Sequence, residues 1–232
     1  MRSRRQKENI SISAIAERID MELDDAAMRD VLGGFGVDVS PEQAQAIRQY
    51  ISILLFWNQR VNLTSVTHPV EVLVRHFGEG MFAVGAVPIS SGRLADFGSG
   101  AGFPGLPIKL LSEDLEVLLI ESNLKKTSFL AEVVRALGLR RVEVRCGRAE
   151  KLGLGDNAFD FVTARAVGHF GELLECSRRI LRPSGRLVLW LGREDAERLS
   201  RSRGWRWGNR IAIPASSRRV VLVGEKETGC FT

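Results

Sequence analysis

The chain has 232 residues, 44% of them hydrophobic, 7% aromatic and 26% charged, which suits one ordinary domain with an appendage and excludes wholesale disorder. Its net charge of +5 is carried by 27 arginines and six lysines. Arginine grips phosphate through a planar fork, so a nucleic-acid partner fits this balance, as does a plain arginine-rich solvated surface.

No apolar run approaches the roughly 20 residues that a membrane helix needs, so no membrane association is expected. The basic start, residues 1–7, is followed by no apolar stretch; a secretory signal is not expected, and the expected compartment is the cytoplasm. Cys146, Cys176 and Cys230 lie far apart, and the histidines are His68, His76 and His169. Neither a disulfide framework nor a metal site is expected.

In chain order, residues 1–38 read as an extension, partly disordered or helical, with a helix over 13–32 that breaks at Gly33-Gly34. A helical cap is expected over 39–92. Ser40-Pro41-Glu42-Gln43 supplies an N-cap, a first-turn proline and the glutamine of a capping box, and Ile47, Ile51, Leu54 and Leu55 follow at helical spacing. A second helix is predicted over 69–77. From Arg93 short apolar strands alternate with helices, and a core is expected over 93–224, with a tail over 225–232. Strands are predicted at 93–97, 116–121, 142–146, 159–163 and 186–191. Helices are predicted from Gly105, from a cap at Ser122 to Gly138, and from Phe170 to a turn at Pro183-Ser184-Gly185. A polar helix over 194–203 and strands over 209–213 and 219–223 finish the chain. This alternation predicts an α/β fold with a mostly parallel sheet covered on both faces. Ligands of such sheets bind outside the carboxyl ends of the strands.

The strongest chemical signal is Asp96-Phe97-Gly98-Ser99-Gly100-Ala101-Gly102-Phe103-Pro104-Gly105, which follows a strand and opens a helix. Gly100, Gly102 and Gly105 match the dinucleotide fingerprint, and Glu121 stands where a carboxylate takes ribose hydroxyls, in nicotinamide and S-adenosylmethionine enzymes alike. Asp96 beside the loop suits a cofactor carrying an amino group and a sulfonium, and suits a pyrophosphate badly. The closing order of helix, Pro-Ser-Gly turn, strand, helix and two strands favours a seven-stranded methyltransferase sheet. Asp96, Gly98, Gly100 and Gly102 are therefore candidates for the methionine part of S-adenosyl-L-methionine, Glu121 for its ribose, and Phe103 is a further cofactor-binding candidate. Ala149 and Glu150, after the third strand, are candidates for the adenine edge. Arg165, after the fourth strand, borders both the donor and the place for the methyl acceptor. It and Arg148 are the candidate catalytic and substrate residues, with Arg193 and His76 beside them.

Absences narrow the acceptor. No Asn/Asp-Pro-Pro-Tyr follows the fourth strand, which disfavours an exocyclic base amine, and no Pro-Cys nucleophile is present for pyrimidine C5. A ring nitrogen with a free lone pair remains, and it needs alignment rather than a general base.

An ordered set of motifs resembles the GidB family of bacterial 16S rRNA guanine-N7 methyltransferases: Trp57-Asn58-Gln59-Arg60-Val61-Asn62-Leu63-Thr64, Arg75-His76, the loop from Asp96 to Pro107, Glu121-Ser122 with Lys125-Lys126 and Phe129-Leu130, Arg148-Ala149-Glu150, and Arg165-Ala166. The resemblance spans about residues 45–192. It implies a Rossmann-like core with a helical cap, S-adenosyl-L-methionine as donor, and a guanine of 16S rRNA, naked or in the small ribosomal subunit, as acceptor. A monomer is expected. The chain departs from the family on the substrate side. Phe77-Gly78-Glu79-Gly80 stands where x-x-Asp-Ser is usual, Leu191 stands where a lysine is usual, with Arg193 nearby, and the common basic tail is missing. An NAD-dependent oxidoreductase and a catalytically silent RNA-binding module of the same fold are the alternatives.

Overall fold

The structure is a computed structural model and describes residues 10–165, 168 and 170–227. The basic start at 1–7, Ala166, His169, Cys230 and the end of the tail lie outside the described residues. The predicted helix over 13–32 is two helices, α1 (Ile12–Glu22) and α2 (Asp25–Gly33). α2 ends at Gly33-Gly34 as expected; the further break at Leu23-Asp24 arises because Asp24 caps α2 by accepting the Ala27 N–H at 2.9 Å. Helix α3 (Pro41–Asn58) has the expected capping box: Ser40 accepts from the Gln43 N–H, and the Gln43 side chain accepts from the Ser40 N–H.

The helix predicted over 69–77 continues to Ala86, as α4 (Pro69–Val72), a π-helical stretch (Leu73–Gly78) and α5 (Glu79–Ala86). Gly78 and Gly80 do not end it, because they are contact points. A Cβ at Gly78 would run into the Phe35 ring, and one at Gly80 would lie 3.2 Å from Pro107.

The core runs β1 (Gly92–Phe97), α6 (Gly105–Leu111), β2 (Leu115–Glu121), α7 (Leu124–Ala136), β3 (Val142–Cys146), β4 (Phe159–Arg165), α8 (Phe170–Ile180), β5 (Leu181–Gly192), α9 (Arg193–Leu199), β6 (Trp205–Trp207), β7 (Ile211–Ala212) and β8 (Arg219–Lys226). Asn123, not Ser122, caps α7, accepting from the Lys125 and Lys126 N–H groups. The Pro183-Ser184-Gly185 turn lies inside β5, where the register with β4 shifts between Phe159 and Phe161. The polar helix starts one residue early and ends at Leu199.

The sheet order is β3-β2-β1-β4-β5-β8-β6, parallel through β5 and antiparallel from β8 onward. Among the described residues it has eight strands rather than seven. The edge strand that pairs β8 is split into β6 and β7, joined through Gly208, whose N–H still reaches the Val223 carbonyl. Strand residues alternate between two cores. Leu94, Val117, Leu119, Val188 and Trp190 meet the cap helices, α6 and α7, while Ala95, Leu118, Val162, Leu187 and Leu189 meet α8 and α9. No helix among the described residues is long and apolar enough to cross a membrane.

Candidate active site

The glycine-rich loop leaves β1 at the carboxyl edge of the sheet and is fastened to β2. The Ser99 hydroxyl donates to the Asp96 carbonyl at 2.9 Å and accepts from the Ile120 N–H at 3.1 Å, and the Ser99 N–H reaches the Ile120 carbonyl at 3.0 Å. Gly98, Gly100 and Gly102 all have positive φ. Gly102 has a second reason to be glycine, because a Cβ there would collide with the Tyr50 hydroxyl. That hydroxyl donates to the Ala101 carbonyl at 2.5 Å. Tyr50, the only tyrosine of the chain, is fully buried on α3 and braces the loop from the cap; its sole sequence signal is its place on the apolar face.

Glu121, at the end of β2, is nearly buried. Its two carboxylate oxygens accept the Gly100 N–H at 2.9 Å and the Asn123 N–H at 2.8 Å, which leaves lone pairs on both for a ligand hydroxyl. Beside it lies a cleft of about 270 Å³, lined by Phe97, Gly98, Ile120 and Ser122 on one side and by Gly147, Arg148, Ala149 and Glu150 on the other. Glu172, Leu173 and Cys176 of α8 complete its lining, positions that the sequence did not mark as part of a site. A slot lined by both apolar and polar groups suits a purine nucleoside.

Asp96 lies beneath the loop, fully buried, where its Oδ1 accepts the Thr163 hydroxyl at 2.6 Å. Burial lifts its pKa to about 6, against the lowering pull of that hydroxyl. The carboxylate therefore acts from under the loop rather than from the cleft wall. Phe103 faces the cap, stacked on His76 at 4.5 Å and on Tyr50 at 5.5 Å between ring centres.

The other predicted residues fall into different places. Arg148 is on the cleft side, exposed, with Glu150 3.9 Å away. Arg165 ends β4 across the loop, largely buried, donating to the Arg75 carbonyl at 2.8 Å and to Glu79 at 3.3 Å. The structure thus separates the two arginines that the sequence placed together. Arg193 is exposed and donates to the Ser217 carbonyl at 2.8 Å, while Leu191 is buried in the core on the α8 side. His76 Nε2 bonds the Thr64 hydroxyl at 2.8 Å. Burial first, then Arg165, Arg75 and Arg219, push its pKa down to about 3, so it stays neutral near pH 7. The turn that holds Thr64 is fixed by Asn58: its Oδ1 accepts from the Leu63 and Thr64 N–H groups, and its amide donates to the Thr64 carbonyl. Trp57 is half-buried, edge-on to Phe129.

Two residues that sequence reasoning did not place are Glu79 and Arg219. Glu79 is the longer carboxylate of the Gly78-Glu79-Gly80 departure. It is buried and paired with Arg165 and Arg219, and its backbone carbonyl accepts the Trp190 indole N–H at 2.8 Å. At Gly80 a Cβ would lie 3.2 Å from Pro107, a tight fit for any side chain.

The antiparallel β8 between β5 and β6 sets this sheet apart from the dinucleotide-binding order 3-2-1-4-5-6. Residues 43–204 match the model of the family described as "GidB: rRNA small subunit methyltransferase G". The chain belongs to the GidB family. A curated relative from Sorangium cellulosum, named ribosomal RNA small subunit methyltransferase G, is 42% identical over 185 residues, 78% of this chain and 77% of that one. A relative of the same name from Lactococcus lactis is 33% identical over 209 residues, 84% of this chain and 88% of that one. Among solved structures, a SAM-dependent methyltransferase from Aquifex aeolicus superimposes with a TM-score of 0.58 at 18% identity, over 67% of this chain and 93% of that one. That likeness carries the fold, a Rossmann-like methyltransferase sheet. Membership of the GidB family agrees with the resemblance read from the motifs.

Proposed function

We propose that this GidB-family chain transfers a methyl group from S-adenosyl-L-methionine to N7 of a guanine in 16S rRNA. The observation that carries the reading is the arrangement about the glycine-rich loop: Glu121 bonded to Gly100 beside the cleft on one side, and Arg165 at the end of β4 on the other.

The residues present fit the donor. Glu121 has lone pairs for the ribose hydroxyls, Ala149 and Glu150 border the slot for adenine, and Asp96 supplies negative charge beneath the methionine part while Gly98, Gly100 and Gly102 let the backbone approach it. Bound there, S-adenosyl-L-methionine supplies an electrophilic methyl on sulfur.

Guanine N7 has its lone pair in the ring plane and loses no proton on methylation, so the chain needs to align and desolvate it. The surroundings agree: His76, stacked on Phe103 of the loop, is held neutral and already bonded to Thr64. Arg165 faces the acceptor and orients it, Arg148 steadies RNA at the cleft mouth, and Arg193 extends the cationic rim. In an A-form duplex N7 faces a deep, narrow groove that side chains cannot read, so the target guanine is in a loop or is splayed out on binding.

Incubation with methyl-labelled donor and either naked 16S rRNA or intact small subunits, followed by digestion to nucleosides, should place the label in N7-methylguanosine. Label in another nucleoside overturns the N7 assignment. Binding of RNA with no label from either substrate favours the silent module instead.

A further inference from the structure

We infer that Arg75 and Arg219 complete, with Arg165, an anion subsite that holds a backbone phosphate of the substrate RNA, and that Glu79 is the positioning residue that gathers them. The inference rests on the methyltransferase reading above and names a part of the substrate site that the reading leaves open.

Three guanidinium groups converge here from separate elements. Arg165 comes from the end of β4 and Arg219 from the start of β8, both paired with Glu79 on α5. Arg75, one turn earlier in the same long helix, offers its carbonyl to Arg165 and pairs its own guanidinium with Glu71 at 3.0 Å. Glu79 is 2% exposed and Arg165 15%, whereas Glu71 is half exposed at the rim. One buried carboxylate thus faces three cations, and the exposed Glu71, screened by water, offsets little of the excess. Arg219 and Arg75 keep 29% and 38% of their side chains exposed, so an anion from solvent can reach this surplus of positive charge.

Two further observations point the same way. The Nε–H groups of Arg75 and Arg219 are buried and have no hydrogen-bond partner among the described residues. A buried donor without an acceptor is costly, and a phosphate oxygen is the acceptor that guanidinium groups fit best. The electrostatics register the surplus too: Arg165 and His76 are both pushed toward their neutral forms, first by burial and then, Glu79's pull on Arg165 aside, by the neighbouring arginines.

The position suits a phosphate next to the reacting base. The cluster sits at the carboxyl ends of β4 and β5, on the opposite side of β1 from the cleft beside Glu121. His76 links it to the glycine-rich loop by stacking on Phe103. A nucleotide held here by its phosphate would present its base toward the loop.

The rival role is a staple that fastens α5 to β4, β5 and β8 with no contact to substrate. Variants Arg219→Gln, Arg219→Lys, Arg75→Gln and Glu79→Gln separate the two. Each is measured for thermal unfolding, S-adenosyl-L-methionine binding, KM and kcat on 16S rRNA, and RNA affinity over a range of salt. A phosphate contact predicts that Arg219→Gln and Arg75→Gln each lower the slope of log affinity against log salt by about one and raise the KM for RNA about tenfold, with donor binding unchanged. Arg219→Lys keeps the charge and should keep the slope. Glu79→Gln should lower kcat about tenfold, because the arginines are no longer gathered, with donor binding intact.

A staple would lower the unfolding temperature of Arg219→Lys and Arg219→Gln alike and leave the RNA slope of every folded variant at the wild-type value; that result overturns the inference. Inorganic phosphate is the second arm. Competition by phosphate against RNA that is lost in Arg219→Gln supports the subsite. Phosphate binding that changes in Arg219→Gln while the RNA slope does not would mean a free-anion site and would also overturn it. Wild-type protein that binds donor but neither binds nor methylates RNA overturns the broader reading itself; wild-type methylation with unaltered slopes overturns only this subsite.

Discussion

The backbone N–H of Gly100 donates to the carboxylate of Glu121 at 2.9 Å, across 21 residues of chain. One side chain therefore both shapes the glycine-rich loop and presents oxygen to the cleft beside it. Glu121→Gln preserves an acceptor for one N–H, whereas Glu121→Ala removes both. Calorimetry should find S-adenosyl-L-methionine weakened by about 1–3 kcal/mol in Glu121→Ala and by less in Glu121→Gln. NAD should not bind either form; tight NAD binding with no response to S-adenosyl-L-methionine would refute the donor assignment.

Gly102→Ala tests the brace between cap and loop. The backbone there has φ of +85°, and the added methyl would meet the Tyr50 hydroxyl and Leu106. Overpacking of this kind costs about 1–3 kcal/mol, with backbone strain added. Chemical denaturation should show that loss together with weaker donor binding. Tyr50→Phe removes only the hydroxyl bonded to Ala101 and should relieve part of the clash in the double variant.

Asp96 gives a pH signature of definite sign. Burial raises its pKa from 3.8 to about 6, so the folded state holds this proton more tightly than the unfolded one. Its stabilising contribution is full below about pH 4 and is lost as pH climbs through 6. The stability of Asp96→Asn relative to wild type should therefore rise between pH 4 and 7, by on the order of 3 kcal/mol. Donor affinity of the wild type should rise over the interval from pH 5 to 7, because the ionised carboxylate attracts the sulfonium. A flat difference between the two proteins across that interval would rule this out.

His76 has the opposite sign. Its pKa falls from 6.5 to about 3, by burial and then by its arginine neighbours, so the unfolded chain takes up a proton that the folded one refuses. Stability is lost as pH drops below 6.5, at about 1.4 kcal/mol per unit at most. His76→Gln should lose less stability than wild type between pH 6.5 and 5, by on the order of 2 kcal/mol. Thermal unfolding at the two pH values measures it.

What the sequence disclosed and what it hid divide along a physical line. The capping box at Ser40, the strand from Val142 to Cys146 and the loop from Asp96 to Gly105 are set by neighbours a few residues apart, and the chain spells them out. Gly78 and Gly80 argue locally against a helix, yet the helix runs through them because tertiary contact with Phe35 and Pro107 outweighs propensity. Strand β6 has three residues, two of them tryptophan, and owes its existence to pairing with β8. Glu79 meets partners 86 and 140 residues away, so its role could not be read from spacing. The separation of Arg148 from Arg165 likewise follows from strand order, with β3 and β4 on opposite sides of β1.

The π-helical stretch from Leu73 to Gly78 has a consequence for how chain length can vary. A π turn accommodates one residue more than an α turn. Deleting a single residue within it would let the helix close into ordinary geometry while Val72 before it and Met81 after it kept their buried faces. The same deletion inside α3 would rotate every later side chain by about 100° and pull Tyr50 or its neighbours off the loop. A one-residue deletion is therefore easier for the backbone to absorb in this segment than in the helix that braces the loop, with Arg75, His76 and Phe77 as the positions that cannot be the ones removed.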